Sequence, residues 1–362
     1  TFKTDDYFTV GTISHQYDRA QGYIKVYSEN GNIDWVRQFN ERTGQNDEDT
    51  LTDYDNYGVR VRETIKPWQG GELLLGFDYD VISGKVDINS PPSTSSRFER
   101  STVRMFSPYM AISHQFGSRE SWYLTPSVGA RLIHHSEFDS EAGPQTGLIL
   151  GYRNTEFHAG FARGINFPGI FAKANDELFL PGNNQWQELN PELVNHYEMG
   201  VSHRFGERVK LDLTFFYDDG SDRIVVAPPP PFPPRYVNFG SFTNKGVEAT
   251  VTVSPFRDLS LFAGATYLNS SPEDLPYAPE WTASFGLNYR FLKRFQLSMD
   301  GLYVDDHFVT SRARQKDTIN LKKVDSYFVL SGKLTYDFKI PNTPLDCQIF
   351  AAGENLTDTD YQ

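Results

Sequence analysis

The chain has 362 residues, of which 38% are hydrophobic and 15% aromatic, with 28 Phe, 20 Tyr and a net charge of −13 at pH 7. That acidic balance argues against nucleic acid as a partner, and the absence of any run of about 18 apolar residues excludes a transmembrane helix. A single cysteine, Cys347, leaves no internal disulfide and no cysteine-based metal site.

No signal peptide opens the sequence, which begins in polar residues at Thr1 and stops at Gln362 just after a strand pattern. It reads as a segment of a longer protein. Along it, the dominant signal is strict alternation of apolar and polar residues, the period of a strand with one apolar and one wet face.

About sixteen segments carry strand signals. In chain order they cover 7–15, 22–30, 55–67, 72–84, 100–116, 121–135, 144–153, 155–164, 194–205, 208–218, 237–254, 259–269, 280–291, 295–306, 325–339 and 345–355. The alternation is plain in Val209, Leu211, Leu213, Phe215 and Tyr217, interleaved with Lys210, Asp212, Thr214 and Phe216. It recurs in Val247–Val253 against Glu248–Ser254, in Trp281–Phe291 against Thr282–Arg290, and in Phe328–Phe338 against Val329–Asp337. These runs match the roughly 9–11 residues that a tilted strand needs to cross a bilayer, whereas soluble strands are usually nearer 5–6. The residues on the second face are mostly charged or hydroxylic, which suits a watery interior.

The connections alternate in length. Short ones fall at Asp18–Gly22, Gln69–Gly71, Gly117–Glu120, Asn154–Thr155, Gly206–Arg208, Phe256–Asp258, Leu292–Arg294 and Pro341–Pro344. Long ones are expected at 36–54, 85–99, 165–193, 219–236, 270–279 and 307–324. Short turns on one side and long loops on the other are the pattern of bacterial outer-membrane barrels, with the short side periplasmic. Aromatics at strand ends (Trp122, Tyr123, Tyr217, Tyr267, Trp281, Tyr303, Tyr336) fit girdles at the two membrane interfaces. The proline run Pro228–Pro234 cannot lie inside a strand and is expected to be a stiff polyproline stretch in a long loop. The fold class expected is therefore all-β: a transmembrane antiparallel β-barrel.

Five stretches then suggest a family. LNPELVNHYEMGV (Leu189–Val201) is followed by KLDLTFFYDDGSDRIV (Lys210–Val225), YVNFGSFTNKGVEATV (Tyr236–Val251), PYAPEWTASFGLNYRF (Pro276–Phe291) and GENLTDTDYQ (Gly353–Gln362). In this order and spacing they resemble the C-terminal part of a TonB-dependent outer-membrane receptor, a transporter class with 22-stranded barrels and plugged lumens. The resemblance covers roughly the second half of the chain. It implies that Leu345–Asn355 is the penultimate strand and the first strand here the sixth. The plug, the TonB-contact segment, five strands and the last strand would lie outside residues 1–362.

What the resemblance implies functionally is capture of a scarce ligand by extracellular loops and its import with TonB-coupled energy. The partners implied are outer-membrane lipid, the TonB complex and a ferric siderophore or similar small ligand, with no cofactor. Trp186, Gln187, Phe232, Arg235, Tyr236, Arg312 and Arg314 are the candidate ligand contacts, because aromatic and Arg side chains suit an anionic, planar or catecholate chelate. Receptors of this family that take haem carry a His in the loop between FARGINFP (Phe161–Pro168) and LNPEL; none lies between Arg163 and Pro191 here. That lowers the haem reading; by its frequency in the family the resemblance implies a ferric siderophore as the ligand, with cobalamin, other metal chelates and carbohydrate as alternatives.

Two rival classes remain open to the sequence. An enzyme could be read from His134–His135 with Glu137, Asp139 and Glu141, but adjacent strand residues point to opposite faces and cannot easily share one ion. DDGSD (Asp218–Asp222) lacks the spacing of a calcium loop and reads as the start of a loop, and no nucleophile elbow, phosphate loop or HExxH is present. No catalytic or metal site is expected. The second rival, a passive porin, would lack the ordered family stretches.

Overall fold

The computed structural model describes residues 1–40, 44–91, 96–179, 182, 184–227, 235–308 and 323–360. One sheet dominates, folded as an up-and-down meander. Its first half comprises β1 (Phe2–Gln16), β2 (Ala20–Asn40), β3 (Gln45–Ile65), β4 (Gly71–Asn89), β5 (Ser96–His114) with its short continuation β6 (Phe116–Gly117), β7 (Trp122–His135), β8 (Glu141–Tyr152) and β9 (Thr155–Asn166). Then follow β10 (Glu192–Phe205), β11 (Val209–Ala227), β12 (Arg235–Phe256), β13 (Leu259–Ser271), β14 (Trp281–Phe291) and β15 (Phe295–Val304). A small ribbon of β16 (His307–Phe308) and β17 (Lys323–Val324) stands apart, and β18 (Tyr327–Lys339) and β19 (Asp346–Gly353) complete the sheet. Each long strand pairs antiparallel with the next, from β1–β2 through β9–β10 to β18–β19. Among the described residues, β1 and β19 each have a ladder on one side only.

The alternation in sequence becomes a division between outside and inside. On β10 and β11, Tyr197, Met199, Phe215 and Tyr217 point outward and are largely exposed, Met199 by 62%. Their neighbours His196, Glu198 and Asp218 turn inward, where His196 Nδ1 bonds Asp218 Oδ1 at 2.6 Å. Apolar area of this kind is unfavourable in water at roughly 25 cal/mol per Å² and is at rest in hydrocarbon. Backbone pairing inside the ladder satisfies the groups that lipid cannot. Trp122, Trp281, Tyr217 and Tyr303 lie on the outer face as expected of a girdle. Tyr123 departs from that expectation: it faces inward and its hydroxyl bonds Glu156, because the next residue along a strand faces the other way.

The short turns fall where the sequence places them. Several long loops do not remain loops. Residues 36–54 and 85–99 largely continue the strands flanking them, to Asn40 and from Gln45, and to Asn89 and from Ser96. Polar cross-strand contacts sustain these extensions, such as Gln38 Nε2 to Thr50 Oγ1 at 2.8 Å and the Arg37 N–H to Asp49 Oδ1 at 2.8 Å. DDGSD is likewise strand, inside β11. Asp222 there has φ of 57° and lies opposite Gly240, whose φ is also positive at 46°, while the register with β12 continues unbroken on both sides. The strands thus rise well past the length that crosses a bilayer, and the meander carries a protruding crown on its long-loop side. Residues 228–234, with the proline run, lie outside the described residues.

Candidate functional site: the capped mouth and the inner wall

Among the described residues, two clusters of buried apolar side chains form around the segment between β9 and β10. It contains helix α1 (Ile170–Phe179) and a 3₁₀ turn, Gln185–Glu188. Ile170, Ala174 and Leu178 recur at helical spacing on one face of α1. They pack on Val86, Ile88 and Phe98 at the outer ends of β4 and β5, with Phe98 only 1% exposed. A second cluster joins Ala172, Trp186 and Leu189 to Phe138 and to Tyr236 at the start of β12. The segment therefore forms a lid that reaches from the β4–β5 hairpin across to β12.

Polar bonds lock the lid. Asp176 accepts the Trp186 backbone N–H at 2.5 Å. Burial holds the Asp176 carboxyl above the usual carboxylate range, opposed by that N–H and by the nearby Arg235. The Trp186 ring is 4% exposed, meets Phe138 edge-on at 5.5 Å, and lies 5.1 Å from the Lys173 ammonium. His135 stacks on Phe167 at 4.8 Å, and burial pushes its imidazole below its ordinary value. Burial also raises the Tyr236 phenol.

A junction of three family-like stretches anchors the lid's end. The Asn190 N–H donates to Asn238 Oδ1 at 2.8 Å, and Asn238 Nδ2 donates to the carbonyls of Asn190 at 2.9 Å and Asp222 at 2.7 Å. LNPEL, DDGSD and YVNFGSF meet there. Farther along β12, Gly246 lies under the Phe216 ring, where an added Cβ would come within 2.5 Å of it; only glycine leaves room. At the far end of the chain, Asn355 Oδ1 accepts the Thr359 N–H at 3.0 Å, and Asn355 and Asp358 have φ of 49° and 50°. The chain turns at these residues, just past the end of β19.

The inner wall carries a second construction that the sequence did not reveal. Arg60 on β3 bonds Asp80 at 2.8 Å and lies 3.6 Å from Asp78, while Arg131 on β7 bonds Asp78 at 2.7 Å. The Tyr27 hydroxyl joins Asp80, and the Arg131 guanidinium sits 4.7 Å from the Tyr109 ring centre. Six side chains on β2, β3, β4, β5 and β7 thus form one lattice on the wet face. Its members come from five strands, so only the strand register brings them together.

Of the residues singled out as ligand contacts, Trp186 and Tyr236 do come together, but in the lid's core. Gln187 is exposed on the lid, and Arg235 is half-buried beside Asp176. Phe232, Arg312 and Arg314 lie outside the described residues. The His134–His135 pair splits as strand geometry requires: His134 bonds Ser140 at 2.7 Å and stacks on Phe106, while His135 joins the lid's aromatics. Among the described residues no group of three His, Cys, Asp or Glu is placed to hold a metal ion.

An antiparallel membrane barrel wall with a wet, charged inner face and a capped mouth defines the class. Residues 1–356 match the family described as TonB dependent receptor-like, beta-barrel, and the chain belongs to that family. Similar solved structures include a ferric enterobactin receptor mutant of Pseudomonas aeruginosa in complex with enterobactin, at 16% identity, TM-score 0.76, 99% of this chain and 58% of that one. The siderophore receptor PiuA of Acinetobacter baumannii is 15% identical with TM-score 0.68, over 99% of this chain and 61% of that one. The copper transporter OprC is 15% identical with TM-score 0.73, over 99% of this chain and 60% of that one. The chain spans about 60% of the length of these relatives. The family and these neighbours are receptors and transporters, of the outer-membrane β-barrel kind, and not enzymes.

Proposed function

We propose that this chain is the barrel wall of a bacterial outer-membrane receptor that binds a ferric siderophore and imports it with TonB-coupled energy. The observation that carries the reading is the lid: an apolar, hydrogen-bonded cap reaching from β4–β5 to β12 above a hydrated, charged wall. A passive pore has no use for so firmly packed a cap, whereas a receptor that must hold a scarce ligand does. The siderophore assignment is supported by what two of the similar structures are titled as binding or receiving.

In this reading Gln187 and Arg235 stand at the rim where a ligand arrives, Tyr236 packs beneath them, and Phe232, Arg312 and Arg314 remain candidate contacts. Trp186 acts from beneath, by holding the surface that carries Gln187. Plug, TonB-contact segment and the strands completing the cylinder are supplied by sequence outside residues 1–362. The test is growth of an iron-starved deletion strain, complemented with the whole receptor, on a panel of ferric chelates and cobalamin. Growth restored by one chelate above the unsupplemented level is the expected result. Equal growth on every chelate and on none would remove the siderophore reading, and growth only on cobalamin would reassign the cargo.

A further inference from the structure

The rim formed by the short turns is basic. The seven turns 17–19, 66–70, 118–121, 153–154, 206–208, 257–258 and 292–294 carry eight Arg or Lys against four Asp or Glu, a balance of +4 in a chain that totals −13. The surplus is most open at the β14–β15 turn, where Leu292, Lys293 and Arg294 are exposed in succession. Among the described residues no carboxylate pairs with Lys293 or Arg294, and Arg294 Nη1 donates to the Tyr336 hydroxyl in a long bond of 3.5 Å. A band of aromatic rings adjoins these cations. Phe256 meets Tyr289 at 6.2 Å, and from Tyr289 the contacts run through Phe291, Phe295 and Tyr336 to Phe338 at 5.6, 5.4, 4.7 and 5.7 Å. Tyr289 and Phe291 share the face of Trp281, and the register sets Phe295 opposite Phe291 and Tyr336 opposite Phe295, so the band lies on the outer side of the wall.

Rings on a lipid-facing surface settle at the depth of the headgroups. Phe291 and Phe295 flank the turn, so its cations stand at the plane of the lipid phosphates. Any aromatic girdle reaches that plane; what is particular here is that two neighbouring cations arrive there without a carboxylate. A guanidinium fork matches two phosphate oxygens at once, and an ammonium adds a point charge beside it. The Tyr336 hydroxyl accepts from Arg294 and keeps its own proton to donate. A zwitterionic headgroup brings a cation of its own, which Lys293 and Arg294 repel. An anionic headgroup brings none, and the pair therefore discriminates between the two.

We propose that Lys293, Arg294 and Tyr336 form a binding site for an anionic glycerophospholipid of the periplasmic leaflet, with its phosphate on the β14–β15 turn and its acyl chains along the aromatic band. The site faces lipid and not the lumen, so it stands whatever cargo the receptor carries.

The experiment titrates the whole receptor, purified in a neutral detergent, with dioleoyl phosphatidylglycerol or dioleoyl phosphatidylcholine and counts bound lipid by native mass spectrometry. The parent should hold phosphatidylglycerol at a concentration where phosphatidylcholine is lost, and should hold it less well as ionic strength rises. Lys293→Gln and Arg294→Gln should each weaken that binding about fivefold, the effect of one cation near an anionic lipid surface, while Arg294→Lys should stay within about threefold. The double Gln variant should retain phosphatidylglycerol no better than phosphatidylcholine. Arg119→Gln removes the same charge from the same rim, but that guanidinium lies 5.4 Å from the inward-facing Tyr123 ring, so this variant should bind as the parent does. Equal retention of the two lipids by the parent overturns the proposal. So does a double variant that binds phosphatidylglycerol as the parent does. A loss in Arg119→Gln as large as that in Arg294→Gln also overturns it, because a diffuse rim potential would then replace a site. A melting temperature equal to the parent's excludes misfolding as the cause of a loss; should Arg294→Gln not fold, Lys293→Gln decides.

Discussion

The lid and the wall are built on opposite principles although they belong to one chain. In the lid, apolar side chains turn toward each other: Phe98 and Trp186 are nearly inaccessible and pack against the small faces of Ala172 and Ala174. In the wall, apolar side chains such as Met199 and Phe215 turn away from the protein, and the interior is held by Arg60, Asp78, Asp80 and Arg131 instead. The contrast shows that burial follows the solvent on each side. Where hydrocarbon lies outside, the wet face becomes the interior; where water lies on every side, an ordinary dry core returns.

The comparison can be broken most forcefully at its two centres. Trp186→Ala should loosen the lid by about 3–5 kcal/mol, the range for removing a buried aromatic. The readout is faster amide exchange over 170–189 with the melting of the wall unchanged; co-melting of wall and lid would show that they are not separate constructions. Leu213→Arg, on the lipid face of β11, should cost about 2–4 kcal/mol if mid-bilayer, with Thr214→Arg on the wet face mild. Folding yields into lipid vesicles compare them, and equal losses would mean the faces are assigned wrongly. Asp78→Asn removes the charge shared by Arg60 and Arg131 and should cost about 2 kcal/mol, the scale of a hydrogen bond to a charged group, read as a shifted urea midpoint in micelles.

Two smaller effects sharpen the picture of the lid. Asn238→Ala breaks the junction with Asn190 and Asp222 and should cost about 1 kcal/mol, seen as exchange of the Asn190 amide ahead of α1. The pH response follows from His135. Its folded value lies below the ordinary 6.5 because burial disfavours the charged ring, so an open lid takes up a proton before a closed one does. Lid stability is therefore present above pH 6.5 and declines as pH falls through the folded value. Asp176, held upward by burial, acts in the opposite sense, favouring closure at pH values too low for its ionisation. His135→Phe should abolish the loss between neutral and mildly acidic pH, measured by the same exchange rates; a response unchanged by that substitution would exclude His135 as its origin.

How much of this was legible in the sequence depends on which of the two principles applied. The wall announced itself because lipid on one side forces a period of two, and runs such as Val209–Tyr217 repeat it in nearly every segment. The extended hairpins around 36–54 and 85–99 look like loops in sequence because above the membrane both faces meet water, and Asp, Asn and Thr then occupy either side without pattern. The lid helix was missed for a related reason: Ile170, Ala174 and Leu178 do fall at helical spacing, but ten residues inside a polar connection are a faint signal. Trp186 was noticed for its chemistry, and its position inside the lid came only from Asp176 and Phe138 closing round it. The inner lattice could not have been read at all. Tyr27, Arg60, Asp80 and Arg131 become neighbours through ladder register, which depends on every turn between them.

The one-sided edges of the sheet carry a consequence for anyone handling this stretch in isolation. β1 is fifteen residues long and exposed along its whole length on both faces, and among the described residues one row of its amides meets no ladder. In hydrocarbon each such group costs several kcal/mol, and in water the row is an invitation to any other strand. Residues 1–362 produced alone should therefore anneal seam to seam, β1 of one copy along β19 of the next, and run as a ladder of species on a native gel.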